Sequence, residues 1–252
     1  LGKLPEGVTL NAGDRANVVP SKCFAKLPLT ADVDAEGYDN VTIGRDKESI
    51  TLTSVGKAAH ASTPNEGLNA THSVLKILAK AYPKNASLVF LANKLGDTTG
   101  NDFGIALCDE QSGNLTCNIG VLKTLEDGTL VATVDIRFPV SYDCDYMYKL
   151  LREKTPDEFE VQPWHVSNPL YVPADTELVT TLMSVYNKAT NSDLDPIAIG
   201  GGTYSRCLPN CVAFGPLFPG EEQTIHMPNE RIDLNNLKAM GSRAELVALL
   251  YT

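Results

Sequence analysis

Only four histidines occur in the sequence, so each can be judged by its setting as a metal ligand or proton carrier. His226 stands in Thr224-Ile225-His226-Met227-Pro228-Asn229-Glu230, a polar loop between a Gly/Pro stretch and the last expected helix. Loops at strand ends are where ligating and catalytic groups concentrate, and imidazole is the commonest zinc ligand. The ordinary alternative is a solvated loop histidine. His60 lies in Gly56-Lys57-Ala58-Ala59-His60-Ala61-Ser62-Thr63-Pro64, after a strand and before a helix. Small neighbours there leave room for a ligand, although a surface turn would look the same. His72, inside a helix pattern, and His165, beside Trp164, read as structural or solvated.

Two arginines and a glycine run add anion chemistry. Gly200-Gly201-Gly202-Thr203-Tyr204-Ser205-Arg206 follows an expected strand. Glycines there permit positive φ and let backbone N–H groups face a ligand, or simply make a tight turn. The run lacks the spacing and the terminal Gly-Lys-Ser/Thr of a phosphate loop, so a carboxylate or peptide backbone suits it better. Arg206 and Arg137 can each grip a carboxylate through two parallel N–H groups. Arg137 sits in Val134-Asp135-Ile136-Arg137-Phe138-Pro139, where a structural pair with Asp135 is the alternative. Neither Gly-x-Ser-x-Gly nor His-Glu-x-x-His occurs, so spacing alone reaches only an α/β protein with an anion or metal site.

The elements that would position these residues follow from periodicity. Cys23–Leu27 and Ser49–Val55 read as strands, the second alternating with period two. Gly67–Tyr82 reads as a helix closed by Pro83, and Tyr142–Lys154 as another, stopped by Thr155-Pro156. Asp127-Gly128 between Cys117–Thr124 and Thr129–Phe138 signals a hairpin. The proline-rich Val166–Pro173 segment marks a boundary. Beyond it come a helix to about Thr190 capped by Asp175, strands at Pro196–Ile199 and Cys211–Phe214, and a helix over Asn235–Tyr251. The architecture reads as α/β in two parts.

Bulk properties narrow the classes. The 252 residues carry a net charge of −10, which argues against nucleic acid or an anionic membrane as the main partner. No apolar run approaches the roughly 18 residues of a membrane span. Cys23, Cys108, Cys117, Cys144, Cys207 and Cys211 are scattered without a C-x-x-C pair, and read as reduced thiols of a cytoplasmic protein.

The combination of motifs says more than any one of them. Gly56-Lys57-Ala58-Ala59-His60-Ala61-Ser62-x-Pro64-x-x-Gly67-x-Asn69-Ala70 resembles the lid-domain histidine motif of the aminoacylase and carboxypeptidase-G superfamily of zinc peptidases. Gly200-Gly201-Gly202-Thr203-Tyr204-x-Arg206, Pro209-Asn210-x-Val212-Ala213-Phe214-Gly215, Pro219-Gly220 and His226-x-x-Asn229-Glu230 resemble its bacterial dipeptidase branch of the PepV type. Asn17-Val18-Val19-Pro20 and Asp135–Pro139 fit in the same order.

The resemblance implies hydrolysis of a dipeptide or short peptide by a cytoplasmic enzyme holding two zinc ions. It makes His226 a zinc ligand and His60 the oxyanion donor. Asn17 and Arg137 would contact substrate, with Arg137 on its C-terminal carboxylate. Gly200, Gly201, Gly202, Thr203 and Arg206 would line the pocket, and Asn229 and Glu230 would orient the metal loop. Residues 1–13 would be a remnant linker, 14–165 an α+β lid domain, and 166–252 the C-terminal part of an α/β catalytic domain. The family's His-x-Asp motif, bridging Asp and Glu-Glu pair precede this region and are not found here; Glu221-Glu222 reads as solvated surface. The expectation is therefore an inactive fragment lacking an N-terminal catalytic segment, with a homodimer among its expected assemblies. An N-acyl amino acid deacylase, or a peptide-binding or dimerisation module without catalysis, are the alternatives.

Overall fold

A computed structural model describes residues 2–163, 165–213, 218, 221–222, 224 and 229–238. The chain divides into two compact units, Leu1–Pro169 and Leu170–Thr252.

The first unit is built on eight strands: β1 (Thr9–Ala12), β2 (Lys22–Pro28), β3 (Val41–Arg45), β4 (Ser49–Val55), β5 (Cys108–Asp109), β6 (Gly113–Asn114), β7 (Thr116–Thr124) and β8 (Leu130–Arg137). Six of them form one sheet in the order β3-β4-β2-β1-β7-β8, and every pairing in it is antiparallel. Three helices accompany them: α1 (Ala70–Ala81), α2 (Ala86–Lys94) and α3 (Cys144–Lys154). This is an α+β arrangement. Within the stretch 1–13, expected to be a remnant linker, β1 lies between β2 and β7, and Leu4, Val8 and Leu10 are buried. Four residues were too few to show a period, yet the sheet is continuous only through them.

Strict alternation drives the packing. In β2, Cys23, Ala25 and Leu27 point inward while Lys22, Phe24 and Lys26 are exposed. In β4, Ile50, Leu52 and Ser54 are buried. Onto this inner face α1 packs Val74, Leu75, Ile77 and Leu78, and α2 adds Leu88 and Leu91. Asn69 caps α1 by accepting from Thr71 N–H, and Asn85 caps α2 by accepting from Leu88 N–H. The hairpin between β7 and β8 turns at Gly128, whose φ is +84°. Asp127 there accepts from the Thr129 N–H and hydroxyl at 3.0 and 2.8 Å. All six cysteines are unbonded, and burial pushes the thiols of Cys23 and Cys117 up to about 12, so both are inert core side chains.

The second unit contains α4 (Glu177–Thr190) and a 3₁₀ turn at Tyr204–Cys207. The cap of α4 is Thr176, whose hydroxyl accepts from Val179 N–H, rather than Asp175. The strands expected at Pro196–Ile199 and 211–213 are not paired, and Ile197 and Ile199 are exposed. An extended apolar segment becomes a strand only beside another edge, and the described residues of this unit supply none. Of the helix expected over 235–251, residues 235–238 are helical, and 239–252 lie outside the described residues. Among the described residues no helix is long and apolar enough to cross a membrane.

His72 ties α1 to the end of α2. Burial pushes its imidazole down from 6.5 to about 4, as does nearby Lys76, against a hydrogen bond with the Leu95 backbone and the charge of Asp97. A base depressed in the folded state binds fewer protons there than in the unfolded chain. Its contribution is complete above pH 6.5 and is lost as pH falls toward 4. Urea unfolding at pH 7 and pH 4.5 should therefore differ by on the order of 2 kcal/mol. In His72→Gln most of that difference should vanish.

Candidate functional site

The polar end of the first unit gathers three of the residues implicated by sequence. His60 follows β4 in a segment fixed at both ends. Lys57 and Leu68 exchange backbone hydrogen bonds at 2.9 Å each way, and Gly56 N–H donates to Ser21 O at 2.8 Å. Glycine is required here for want of space. A Cβ on Gly56 would lie 2.0 Å from Leu68 O, and one on Gly67 would lie 2.7 Å from Lys57 O.

Asn17 is brought to His60 by a short antiparallel contact. Val19 N–H donates to Ala59 O at 2.9 Å, Ala61 N–H donates to Asn17 O at 3.0 Å, and Val18 bridges His60. The route to Asn17 crosses a bulge in β7 between Ile119 and Val121. At Gly120 a Cβ would stand 2.1 Å from Ala16 O, while Gly13, at φ +67°, would place one 1.9 Å from Gly120 O. Backbone therefore rests directly on backbone at this crossing.

A buried polar network anchors the same place. Asn69 Nδ2 donates to Asn118 Oδ1 and to Ile119 O, both at 2.9 Å. Asn69 Oδ1 accepts from Thr71 N–H at 3.0 Å and from its hydroxyl at 2.7 Å. Asn118 Nδ2 donates to Val18 O at 3.3 Å, and Thr116 Oγ1 donates to Ala61 O at 3.2 Å. Asn118 and Thr116 pair across the ladder with Asp135 and Arg137 of β8. These four share the sheet face opposite the core residues Cys117 and Ile119. Arg137 thus enters the cluster one strand from Ala61, held in a two-point pair with Asp135: Nε–Oδ1 is 2.9 Å and Nη2–Oδ2 is 3.1 Å. Both side chains are largely covered, 20% and 15% exposed.

The imidazole itself meets Ser62. His60 Nδ1 lies 2.6 Å from Ser62 Oγ and accepts from Ser62 N–H at 3.3 Å. Sequence reading gave Ser62, Thr116 and Asn118 no role. Only the serine, two positions from His60 in the quoted motif, left a signal there.

The remaining residues belong to the second unit. Gly201 and Gly202 adopt no positive φ, so the conformational reason offered for glycine does not hold at them. A Cβ on Gly202 would come 2.9 Å from an Nη of the exposed Arg206, a flexible tip that can move aside, so space does not require glycine there either. Thr203 caps the turn that carries Arg206, and its hydroxyl is hydrogen-bonded to that of Ser205. Farther on, Thr224 Oγ1 donates to Arg231 O at 3.3 Å and accepts from Arg231 N–H at 3.2 Å. Asn229 (φ +64°) and the exposed Glu230 immediately precede Arg231. His226 lies outside the described residues. Glu222 is exposed and paired with Arg231, and Glu221 accepts from Phe218 N–H at 2.8 Å and from Asn236. No group of three or more His, Cys, Asp and Glu gathers as a metal site among the described residues.

Two substitutions should separate the supports of this cluster. Asn69→Ala removes the α1 cap and takes a donor from buried Asn118 Oδ1 and from Ile119 O, so urea unfolding should show a loss of about 3 kcal/mol. Gly120→Ala forces the Ala16 backbone away and should cost about 2 kcal/mol. It should also shift the Asn17 amide resonances, whereas Gly128→Asn in the open hairpin turn should leave them in place.

No protein-family model matches the chain. A protein named "Putative dipeptidase YtjP" of Bacillus subtilis is 33% identical over 249 residues, 91% of this chain and 52% of YtjP. Proteins named "Putative dipeptidase" from Staphylococcus aureus strains USA300 and NCTC 8325 are each 30% identical over 247 residues, covering 92% of this chain and 53% of their own length. The chain spans about half the length of the curated relatives it matches. Along more than nine-tenths of its own length it is similar to proteins named as dipeptidases, at 30–33% identity.

Proposed function

We propose that this chain is part of a longer peptidase of the PepV type that hydrolyses dipeptides, and that the cluster around His60 supplies its oxyanion and substrate contacts. The observation that carries the reading is the convergence of Asn17, His60 and Arg137, which are far apart in sequence. The Asn17–Val19 and Ala59–Ala61 backbones are paired, and Arg137 stands opposite Thr116, which bonds Ala61 O. Similarity to proteins named as dipeptidases supports the same substrate class.

In this reading His60 donates a hydrogen bond to the carbonyl oxygen as it gains charge, a contact stronger in the transition state than in the ground state. Arg137, oriented by Asp135, takes the C-terminal carboxylate of the dipeptide, and Asn17 contacts its backbone. Gly200, Gly201, Gly202, Thr203 and Arg206 are assigned substrate contacts of their own in this reading. The two zinc ions of the reading would need His226, steadied by Asn229 and Glu230, and further ligands from elsewhere in the longer protein. The described residues alone do not compose such a centre.

In the longer protein, His60→Ala should lower kcat for a dipeptide by about 100-fold and change KM by less than about threefold. An effect confined to KM would overturn the oxyanion role. Arg137→Lys should erase discrimination between a dipeptide and its C-terminal amide. Faster turnover of N-acetyl amino acids than of dipeptides would replace the dipeptidase reading with a deacylase. Elemental analysis should find about two zinc ions in the longer protein and close to none in this chain alone.

A further inference from the structure

We infer that Ser62 is a positioning residue that fixes the tautomer of His60, leaving the ring proton on Nε2. The inference rests on the reading of His60 as the oxyanion donor. A neutral imidazole carries one proton and one lone pair on its two nitrogens, and partners at one nitrogen decide the state of the other. The 2.6 Å contact between Nδ1 and Ser62 Oγ is ambiguous by itself, because a hydroxyl both donates and accepts. The Ser62 backbone N–H removes the ambiguity. It can only donate, and it is directed at the same Nδ1 from 3.3 Å. A proton on Nδ1 would oppose it, so Nδ1 is the acceptor, the hydroxyl donates as well, and the proton resides on Nε2.

The local fold explains how one residue supplies both donors. Thr63 N–H donates to His60 O at 3.0 Å, closing a four-residue turn that curls Ser62 back over the ring. That turn is held in turn by Ala61, whose N–H binds Asn17 O and whose carbonyl accepts from Thr116. Pro64 then opens the 3₁₀ turn Pro64–Glu66 and is itself buried. The serine sits on a braced turn, and its half-buried hydroxyl is aimed by that turn. Without the hydroxyl, Nδ1 would keep only the longer N–H contact of 3.3 Å, and a fraction of the rings would carry the proton on Nδ1 instead of presenting a donor at Nε2.

The test uses the whole 252-residue chain with ¹⁵N-labelled histidine, the His60 signals being assigned by their loss in His60→Gln. At about pH 8.5, where an ordinary histidine is neutral, His60 should show a protonated Nε2 and an unprotonated Nδ1. Ser62→Ala, which keeps the backbone N–H but loses the hydroxyl, should admit an added Nδ1-protonated fraction with an unchanged melting temperature, and Ser62→Thr should restore the single tautomer. In the longer protein Ser62→Ala should lower kcat about twofold, in step with the lost Nε2-protonated fraction and with little change in KM, and Ser62→Thr should recover it. A protonated Nδ1 in the native chain, or an identical tautomer in Ser62→Ala, overturns the inference. Should the single tautomer appear as stated while His60→Ala leaves kcat intact, the dipeptidase assignment of His60 fails and the role of Ser62 in placing the proton stands.

Discussion

The polar end of the first unit depends on backbone passing backbone at distances no Cβ permits. Gly13 against Gly120, Gly56 against Leu68, and Gly67 against Lys57 are three such approaches, and together they enclose the segments bearing Asn17 and His60. Glycine in an ordered segment costs conformational entropy. That cost is offset because main-chain hydrogen bonds then hold the histidine segment directly, as in Ala61 N–H to Asn17 O and Val19 N–H to Ala59 O. A segment held by main-chain bonds is fixed more closely than one resting on flexible side chains.

The second support is the Asn69–Asn118 pair. A buried amide is destabilising when partly satisfied and specifying when its partners are present. Asn69 uses both its donor and acceptor atoms, joining the start of α1 to the β7 bulge, while Asn118 passes the link on to Val18. The node therefore couples helix, sheet and the Asn17 segment. Loosening any one of them would move the others, and His60 with them.

Legibility in the sequence followed how local each feature was. Ser49–Val55 was read residue for residue because alternation along one strand needs no knowledge of its partner. Asp127-Gly128 marked its hairpin for the same reason. β1, β3 and α2 are short, and the strand order that threads β1 between β2 and β7 is set by nonlocal pairing. The second unit shows the converse: Pro196–Ile199 has strand composition but no neighbouring edge among the described residues. In the candidate site, residue types in the quoted motifs pointed to Asn17, His60 and Arg137. Their juxtaposition, and the parts played by Asn118, Thr116 and Ser62, required contacts across dozens of residues.

Arg137 shows why the structural and functional readings of one residue need not compete. Its two-point pair with Asp135 is the structural role weighed as the alternative, and it is present. An unpaired guanidinium on a flexible stem would have to be ordered each time a carboxylate bound, at a cost of roughly 1 kcal/mol for such a side chain. Asp135 orders it beforehand. The same carboxylate offsets the positive charge, so attraction for the proposed substrate carboxylate would come from directed N–H groups more than from net charge. Selectivity then depends on the guanidinium plane, which an ammonium group of equal charge cannot reproduce. In the proposed role, the ion pair between β8 residues two apart would make Arg137 a discriminating contact.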